Sequence, residues 1–568
     1  MKLIRDQIAG LIRSGFKEAQ ASGALPDFPL PEITVERPRQ PEHGDYSSPV
    51  CLRLAREARM APREIAARVV ANMPPAPYAG KVEVAGGGYI NITLATDWLT
   101  SQVNAILEAG ESFGNLDLGR GRRVQVEFVS ANPTGPITVA STRNAVIGDT
   151  LANLLAAAGY EVEREYYVND AGSQVRKFGE SLYARYLQAL GQDEPFPEDG
   201  YHGRYVTELA QQIIARDGDR YLKLPRKEAV RALGDEGIAY MIEWIKRDLA
   251  ALGVTFDVWF HERSLYESGL FDRVVSLLRE RGYVVEYDDA VWFRHPELES
   301  DAVIIRSPRV VPDPSERPTY FASDIAYVWN KLVERGFDQA IYVWGADHHG
   351  DVPRVKAAAK ALGLDPSRVV IILYQMVNLK RGGEEVRMSK RTGEFVTLRE
   401  LLDEVGPDPI RFMMLTCTVD ATIDFDLALA VEQSEKNPVY YVQYAHARIA
   451  SILRHAAGLG WDVEKAGDVS LLTHESELAL IRKMLDLQET VALAVGGTSD
   501  ASPQLAPHYL TVYAKELATL FHAFYRDCRV VDADQPELTQ ARLTLVRAAK
   551  NVLARVLHLM GMSAPERM

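Results

Sequence analysis

Between residues 124 and 155 the chain reads strand, turn, helix, and the same order returns between 340 and 362. Val124, Val126 and Phe128 alternate with polar Gln125 and Glu127, the period of a half-buried strand. A turn at 130–136 follows, and then Ile147, Leu151, Leu154 and Leu155 recur at helical spacing. In the second copy, 341–347 runs into a helix with Val355, Ala358, Ala359 and Leu362 on one face, and 369–374 is a further buried strand. Strands alternating with helices specify a doubly wound parallel sheet, and such sheets collect ligands at the carboxyl ends of their strands.

At 568 residues the chain is too long for one core, so several domains are expected. Residues 1–112 read as a small α+β unit, with short strands near Val82 and Tyr89 around a glycine turn at 86–88. Residues 113–396 carry the Rossmann-like α/β sheet, with a charged helical insertion around 175–250. Residues 397–568 read as an α-helical bundle in which no strand is expected. Thr397 with Glu400 predicts a capping box at its start, and Gly406 a stop.

Composition excludes several classes. Hydrophobic residues make up 47% and charged residues 25%, the balance of a globular protein. No apolar run approaches the ~18–20 residues that span a bilayer, so no membrane partner is expected. Ile4, Ile8, Leu11 and Ile12 form an amphipathic N-terminal stripe. Asp6 and Glu18 argue for a domain helix there rather than an import presequence. Cys51, Cys417 and Cys528 are isolated, which supports neither a disulfide framework nor a thiolate metal site and fits a reducing, cytoplasmic setting. The net charge of -14 does not locate charge, so it says little about a nucleic-acid partner.

Two segments have the composition of a phosphate site. The first runs from Asn132 through Pro133, Thr134, Gly135, Pro136, Thr138 and Ala140 to Ser141, where backbone N–H groups at a helix start can hold an anion. The second, 380–393, combines glycines with Lys390 and Arg391, as suits a loop that closes on a triphosphate. On these residues alone, an ordinary connection and a solvated hairpin remain open.

Together the two segments resemble the paired signatures of class I aminoacyl-tRNA synthetases. Arg387, Met388, Ser389 and Lys390 resemble the family's Lys-Met-Ser-Lys loop, with Arg in first place. The stretches at 165–172, 256–260, 264–269, 342–350, 424–426, 437–448 and 563–568 are similar to segments of bacterial arginyl-tRNA synthetases, in order and over essentially the whole chain. The resemblance implies formation of arginyl-adenylate from L-arginine and ATP, with Mg2+ as part of the nucleotide substrate and no tightly held metal. Transfer to the terminal adenosine of tRNA(Arg) follows, by a monomer. It assigns arginine to Asn132, Glu262, Tyr320, Asp324 and His348, because a guanidinium pairs best with carboxylates. It assigns ATP to residues 133–136, Ala140, His349 and Lys390, and catalysis to Thr138, Ser141 and 387–390. It assigns the tRNA elbow to Tyr89 and Asn91, and the anticodon stem and loop to Tyr441, Tyr444, His446 and Arg448. A core role for His348, a cap role for Asp324 and plain packing for the tyrosines stay open here.

The pattern breaks at one place. Family members carry His-x-Gly-His where this chain has Thr138, Val139, Ala140 and Ser141, so both imidazoles and the glycine are replaced. A hydrogen bond to a charged group is worth roughly 1.5–3 kcal/mol, so two uncompensated losses amount to about a hundred- to ten-thousandfold in rate. Thr138 and Ser141 retain shorter hydroxyl donors. A working synthetase is therefore weighed against a tRNA-binding protein on the same scaffold, and against a nucleotidyltransferase for another substrate.

Overall fold

The computed structural model describes residues 3–386, 396–496 and 505–568. At the N-terminal end, β1 (Tyr46–Ser48), β2 (Ala79–Ala85) and β3 (Tyr89–Leu94) form an antiparallel sheet in the order β1-β3-β2. The helix Pro62–Ala71 lies on this sheet, and the helix Ile4–Ala21 packs on that helix through buried Ile8, Ile12 and Phe16.

The central sheet contains β4 (Arg123–Glu127), β5 (Glu161–Val168) and β6 (Val258–His261). A side sheet of β7 (Val284–Tyr287), β8 (Ala290–Phe293) and β9 (Ala302–Ile305) follows in the chain. β10 (Gln339–Gly345) and β11 (Val369–Tyr374) then complete the central sheet, whose order β11-β10-β4-β5-β6 is parallel throughout. The order reverses between β4 and β10, and a crevice at the carboxyl ends of strands is where such sheets bind ligands. Three helices, Ser173–Ala189, Arg204–Asp217 and Arg226–Ala251, form the insertion between β5 and β6.

Two expectations are corrected. The polar face of β4 does not meet water, since Gln125 and Glu127 are as buried as Val124 and Val126. The helix Tyr320–Trp329 and the π-turn Asn330–Glu334 that extends it cover that face with charged and aromatic partners. The region after Thr397 also contains a strand. β12 (Val377–Arg381) pairs antiparallel with β13 (Glu384–Glu385) and parallel with β14 (Ile423–Asp426). Beyond it the chain is helical, with long helices at Pro438–Gly458, Glu475–Ala494, Tyr509–Asp527 and Pro536–Leu559. No described helix is long and apolar enough to cross a membrane.

Candidate active site

The turn leaving β4 is backbone-strained and held residue by residue. Val129 and Ser130 both have positive φ, at 66° and 41°, although neither is glycine. The end of β5 supplies the restraint. The Tyr167 N–H donates to Ser130 Oγ at 3.1 Å, the Tyr166 hydroxyl to the Ala131 carbonyl at 2.7 Å, and Asn169 Nδ2 to Asn132 Oδ1 at 3.2 Å. Asn144 bridges the crevice, accepting from the Val129 N–H at 2.7 Å and donating to the Val343 carbonyl of β10 at 2.8 Å. Farther along, Pro133 and Thr134 are buried, and Tyr205 of the insertion donates to the Thr134 carbonyl at 2.6 Å.

The turn delivers Thr138 to the N-cap position of the 19-residue helix Val139–Ala157. Thr138 makes no capping hydrogen bond, and neither it nor Ser141, both half-buried, shows a side-chain donor or acceptor partner among the described residues. A helix N-terminus of this length favours an anion. Buried Arg143, one residue past Thr142, fixes the helix start to the far wall through the carbonyls of Gln375 and Ala421, both at 2.7 Å, and Thr418 at 3.0 Å.

The chain that follows the cationic segment returns to this helix. Thr138 forms an isolated antiparallel bridge with Thr397, the Leu398 N–H donates to the Ile137 carbonyl at 2.8 Å, and the Val139 N–H to the Val396 carbonyl at 3.3 Å. The predicted capping box of Thr397 and Glu400 is present. On the other flank Lys380 pairs with Asp424 at 2.6 Å. Arg387, Met388, Ser389 and Lys390 themselves lie outside the described residues.

A second pocket opens at the carboxyl end of β6. Glu262 follows directly on the strand, is 4% exposed, and lines a cavity with Tyr266, Thr319 and Tyr320. Ser323 donates to Glu262 Oε1 at 2.5 Å and is itself paired with the Tyr266 hydroxyl at 2.7 Å. Among the described residues Glu262 Oε2 and the Tyr167 hydroxyl are buried without a well-formed hydrogen bond, although the hydroxyl lies close enough to temper the rise of the Glu262 carboxyl. Burial pushes the Glu262 carboxyl up to about 7, and the Asp170 carboxylate adds to the effect. Burial, with the carboxylates of Glu127 and Glu262, also holds Asp324 well above its ordinary range. Tyr320 and Asp324 stand one turn apart on the helix that carries Ser323, so Glu262, Tyr320 and Asp324 come together. A buried carboxyl beside a half-buried one suits a cation with several N–H donors.

Other predicted residues divide. His348 and His349 are exposed in the turn Ala346–Asp351 after β10, His348 lying 3.4 Å from Asp351, so neither is a core histidine. Tyr89 is exposed, whereas Asn91 is 3% exposed with its Oδ1 accepting from Ser47 at 2.7 Å. Tyr444 and Arg448 line a broad cleft in the helical bundle with Tyr525, Arg526 and Arg529, and Tyr441 bonds to Thr519 at 3.2 Å. His446 is a correction. It is 2% exposed, and its Nδ1 meets the Pro565 carbonyl at 2.8 Å, which ties down the C-terminal tail. Tyr205, Asn144, Ser323 and Tyr266 were not singled out from sequence. Only the helical spacing from Tyr320 to Ser323 and Asp324 carried a local signal.

Known proteins resemble the chain along its whole length. Residues 4–94 match the arginyl tRNA synthetase N terminal domain, 102–414 the catalytic domain of class I (R) tRNA synthetases, and 442–568 the DALR anticodon binding domain. An arginine–tRNA ligase of Dehalococcoides mccartyi is 48% identical over 567 residues, covering 100% of this chain and 99% of that protein. One from Heliobacterium modesticaldum is 47% identical over 576 residues, covering 100% of both. The Thermus thermophilus arginyl-tRNA synthetase aligns with a TM-score of 0.75 at 25% identity, covering 100% of both chains. With matches that span its full length, the chain belongs to the arginyl-tRNA synthetase family.

Proposed function

We propose that this synthetase joins arginine to tRNA(Arg) by gripping ATP at the start of the helix Val139–Ala157 while Glu262 and Asp324 hold the guanidinium. The observation that carries the reading is the Thr138–Thr397 bridge, which joins the chain that follows the cationic segment to the start of that helix. Both ends of the reaction then lie at carboxyl ends of strands in one sheet.

In this scheme Tyr320 lies beside the guanidinium, Asn132 meets the ammonium or carboxylate end of arginine, and His348 borders the same space. A carboxylate oxygen of arginine attacks the α-phosphorus, the bond to the bridging oxygen breaks, and pyrophosphate leaves. The negative charge that grows on the leaving group meets the helix N-terminus, the hydroxyls of Thr138 and Ser141, and Lys390 with Arg387, Met388 and Ser389 of the cationic signature. Mg2+ arrives with the nucleotide. Residues 133–136, Ala140 and His349 receive the rest of ATP. A hydroxyl of the terminal adenosine then attacks the arginyl carbonyl, AMP departs and the hydroxyl proton is released.

The unit 113–396 performs the chemistry. The unit 1–112 receives the tRNA elbow at Tyr89, and 397–568 receives the anticodon arm at the Tyr444 and Arg448 cleft, with a single chain acting in the cytoplasm. Arginine-dependent ATP–pyrophosphate exchange, run with and without tRNA(Arg), tests the reading. Exchange that requires arginine supports it, and tRNA binding without exchange under either condition overturns it.

A further inference from the structure

Lys331 is a lysine with no exposed surface. It sits in the π-turn Asn330–Glu334, the kind of helix irregularity that recurs at functional sites. Its Nζ donates to Glu127 Oε2 at 2.6 Å and lies over the rings of Tyr327 at 3.8 Å and Tyr342 at 3.6 Å. Among the described residues no other carboxylate is within ion-pair distance of it. The second oxygen of Glu127 accepts from Ser130 Oγ at 3.0 Å. Ser130 is one of the two strained residues in the turn that presents Asn132. Lys331 also continues the helix that presents Tyr320 and Asp324. A side-chain chain Lys331–Glu127–Ser130 thus crosses β4 and connects the guanidinium end of the site to the ammonium and phosphate end.

We propose that Lys331 and Glu127 are positioning residues for arginine activation, holding the turn that carries Asn132 in register with the helix that carries Tyr320 and Asp324. A plain stabilising role fits less well. A buried ion pair is replaceable by apolar side chains at little cost, whereas this one spends its second carboxylate oxygen on a strained turn. The neighbouring buried carboxylate, Glu165, is already served by Gln125, Tyr327 and Arg335, so the lysine is not needed there. The proposal rests on the assignment of Asn132 and Asp324 to arginine.

The test uses the full chain with tRNA(Arg) and compares Ser130→Ala, Lys331→Met, the apolar pair Glu127→Met/Lys331→Met, and, as controls for the site itself, Asn132→Ala and Asp324→Asn. Lys331→Met should lower both the melting temperature and kcat, because it strands Glu127. The apolar pair should recover the melting temperature and leave kcat for exchange about 10- to 100-fold down, with a raised arginine KM and an unchanged tRNA KM. Ser130→Ala should show the same kinetic split. Wild-type kcat and arginine KM in both Ser130→Ala and the apolar pair would overturn the proposal. Wild-type arginine KM in Asp324→Asn and Asn132→Ala would instead overturn the site assignment on which it rests.

Discussion

Thr397 bridges Thr138 in an antiparallel contact, so the chain leaving the cationic segment closes onto the N-terminus of the helix that starts at Val139. Thr397 is at the same time the N-cap of the next helix, Leu398–Val405, with Glu400 completing its capping box. The two helix starts share one joint. Thr138, one of the two hydroxyl residues that stand where the resembled signature has imidazoles, is thereby coupled to the start of the next helix.

That coupling fixes what restoring those imidazoles should do. Among the described residues the Thr138 and Ser141 hydroxyls have no hydrogen-bond partner, and both are shorter than an imidazole. Thr138→His with Ser141→His should raise kcat for pyrophosphate exchange by about 10-fold or more, at roughly 1.4 kcal/mol per tenfold, with little change in arginine KM. Unchanged kcat would show that other groups already neutralise the pyrophosphate.

Glu262 links arginine binding to pH. Its carboxyl titrates near 7 in the folded chain against 4.5 for the free side chain, so folding favours the protonated form. Its contribution to stability is therefore complete below pH 4.5 and is lost as pH rises through 7, a cost of roughly 3 kcal/mol at pH 8 at ~1.4 kcal/mol per unit. Glu262→Gln should remove that slope, so urea unfolding shows the variant equal to wild type near pH 4.5 and more stable at pH 8, while arginine activation is lost. In the wild type a guanidinium selects the ionised carboxyl. Arginine KM should be flat above pH 7 and rise up to tenfold per unit below it.

Tyr205 reaches from the insertion to the Thr134 carbonyl. Tyr205→Phe removes one neutral hydrogen bond, about 0.5–1.5 kcal/mol, and should raise ATP KM by roughly two- to tenfold. tRNA KM should stay as it is. A change confined to tRNA KM would place Tyr205 in a nucleic-acid path instead.

In the helical bundle, Tyr444 and Arg448 face a cleft that is rich in arginine. Tyr444→Ala removes a stacking platform worth ~1–3 kcal/mol, and Arg448→Met a phosphate contact. Both should raise tRNA KM and spare tRNA-independent binding of ATP, and Arg448→Met should also flatten the salt dependence. His446→Ala should act differently, loosening the tail at Pro565 and lowering the melting temperature.

Much of the architecture follows from local pattern. The alternation of β4, the helical stripe after it and the repeat at β10 specify a parallel wound sheet because side-chain period reports backbone geometry directly. Thr397 and Glu400 specify a helix start because capping is a three-residue interaction. β14 escaped because four residues, Ile423 to Asp426, are too few for a period to register, and their partner is β12.

Sequence alone determined the fold class and the family. Only the tertiary structure decided what the polar residues face. Glu127 read as the wet side of a strand, yet its counter-charge is Lys331, 204 residues away, and the two are buried together. The resemblance gave His446 and Asn91 to tRNA, and both are buried, against Pro565 and Ser47. Periodicity tells that two faces differ in polarity. It does not tell whether the polar face meets water or a distant partner, because that partner is brought in by packing and not by the local chain.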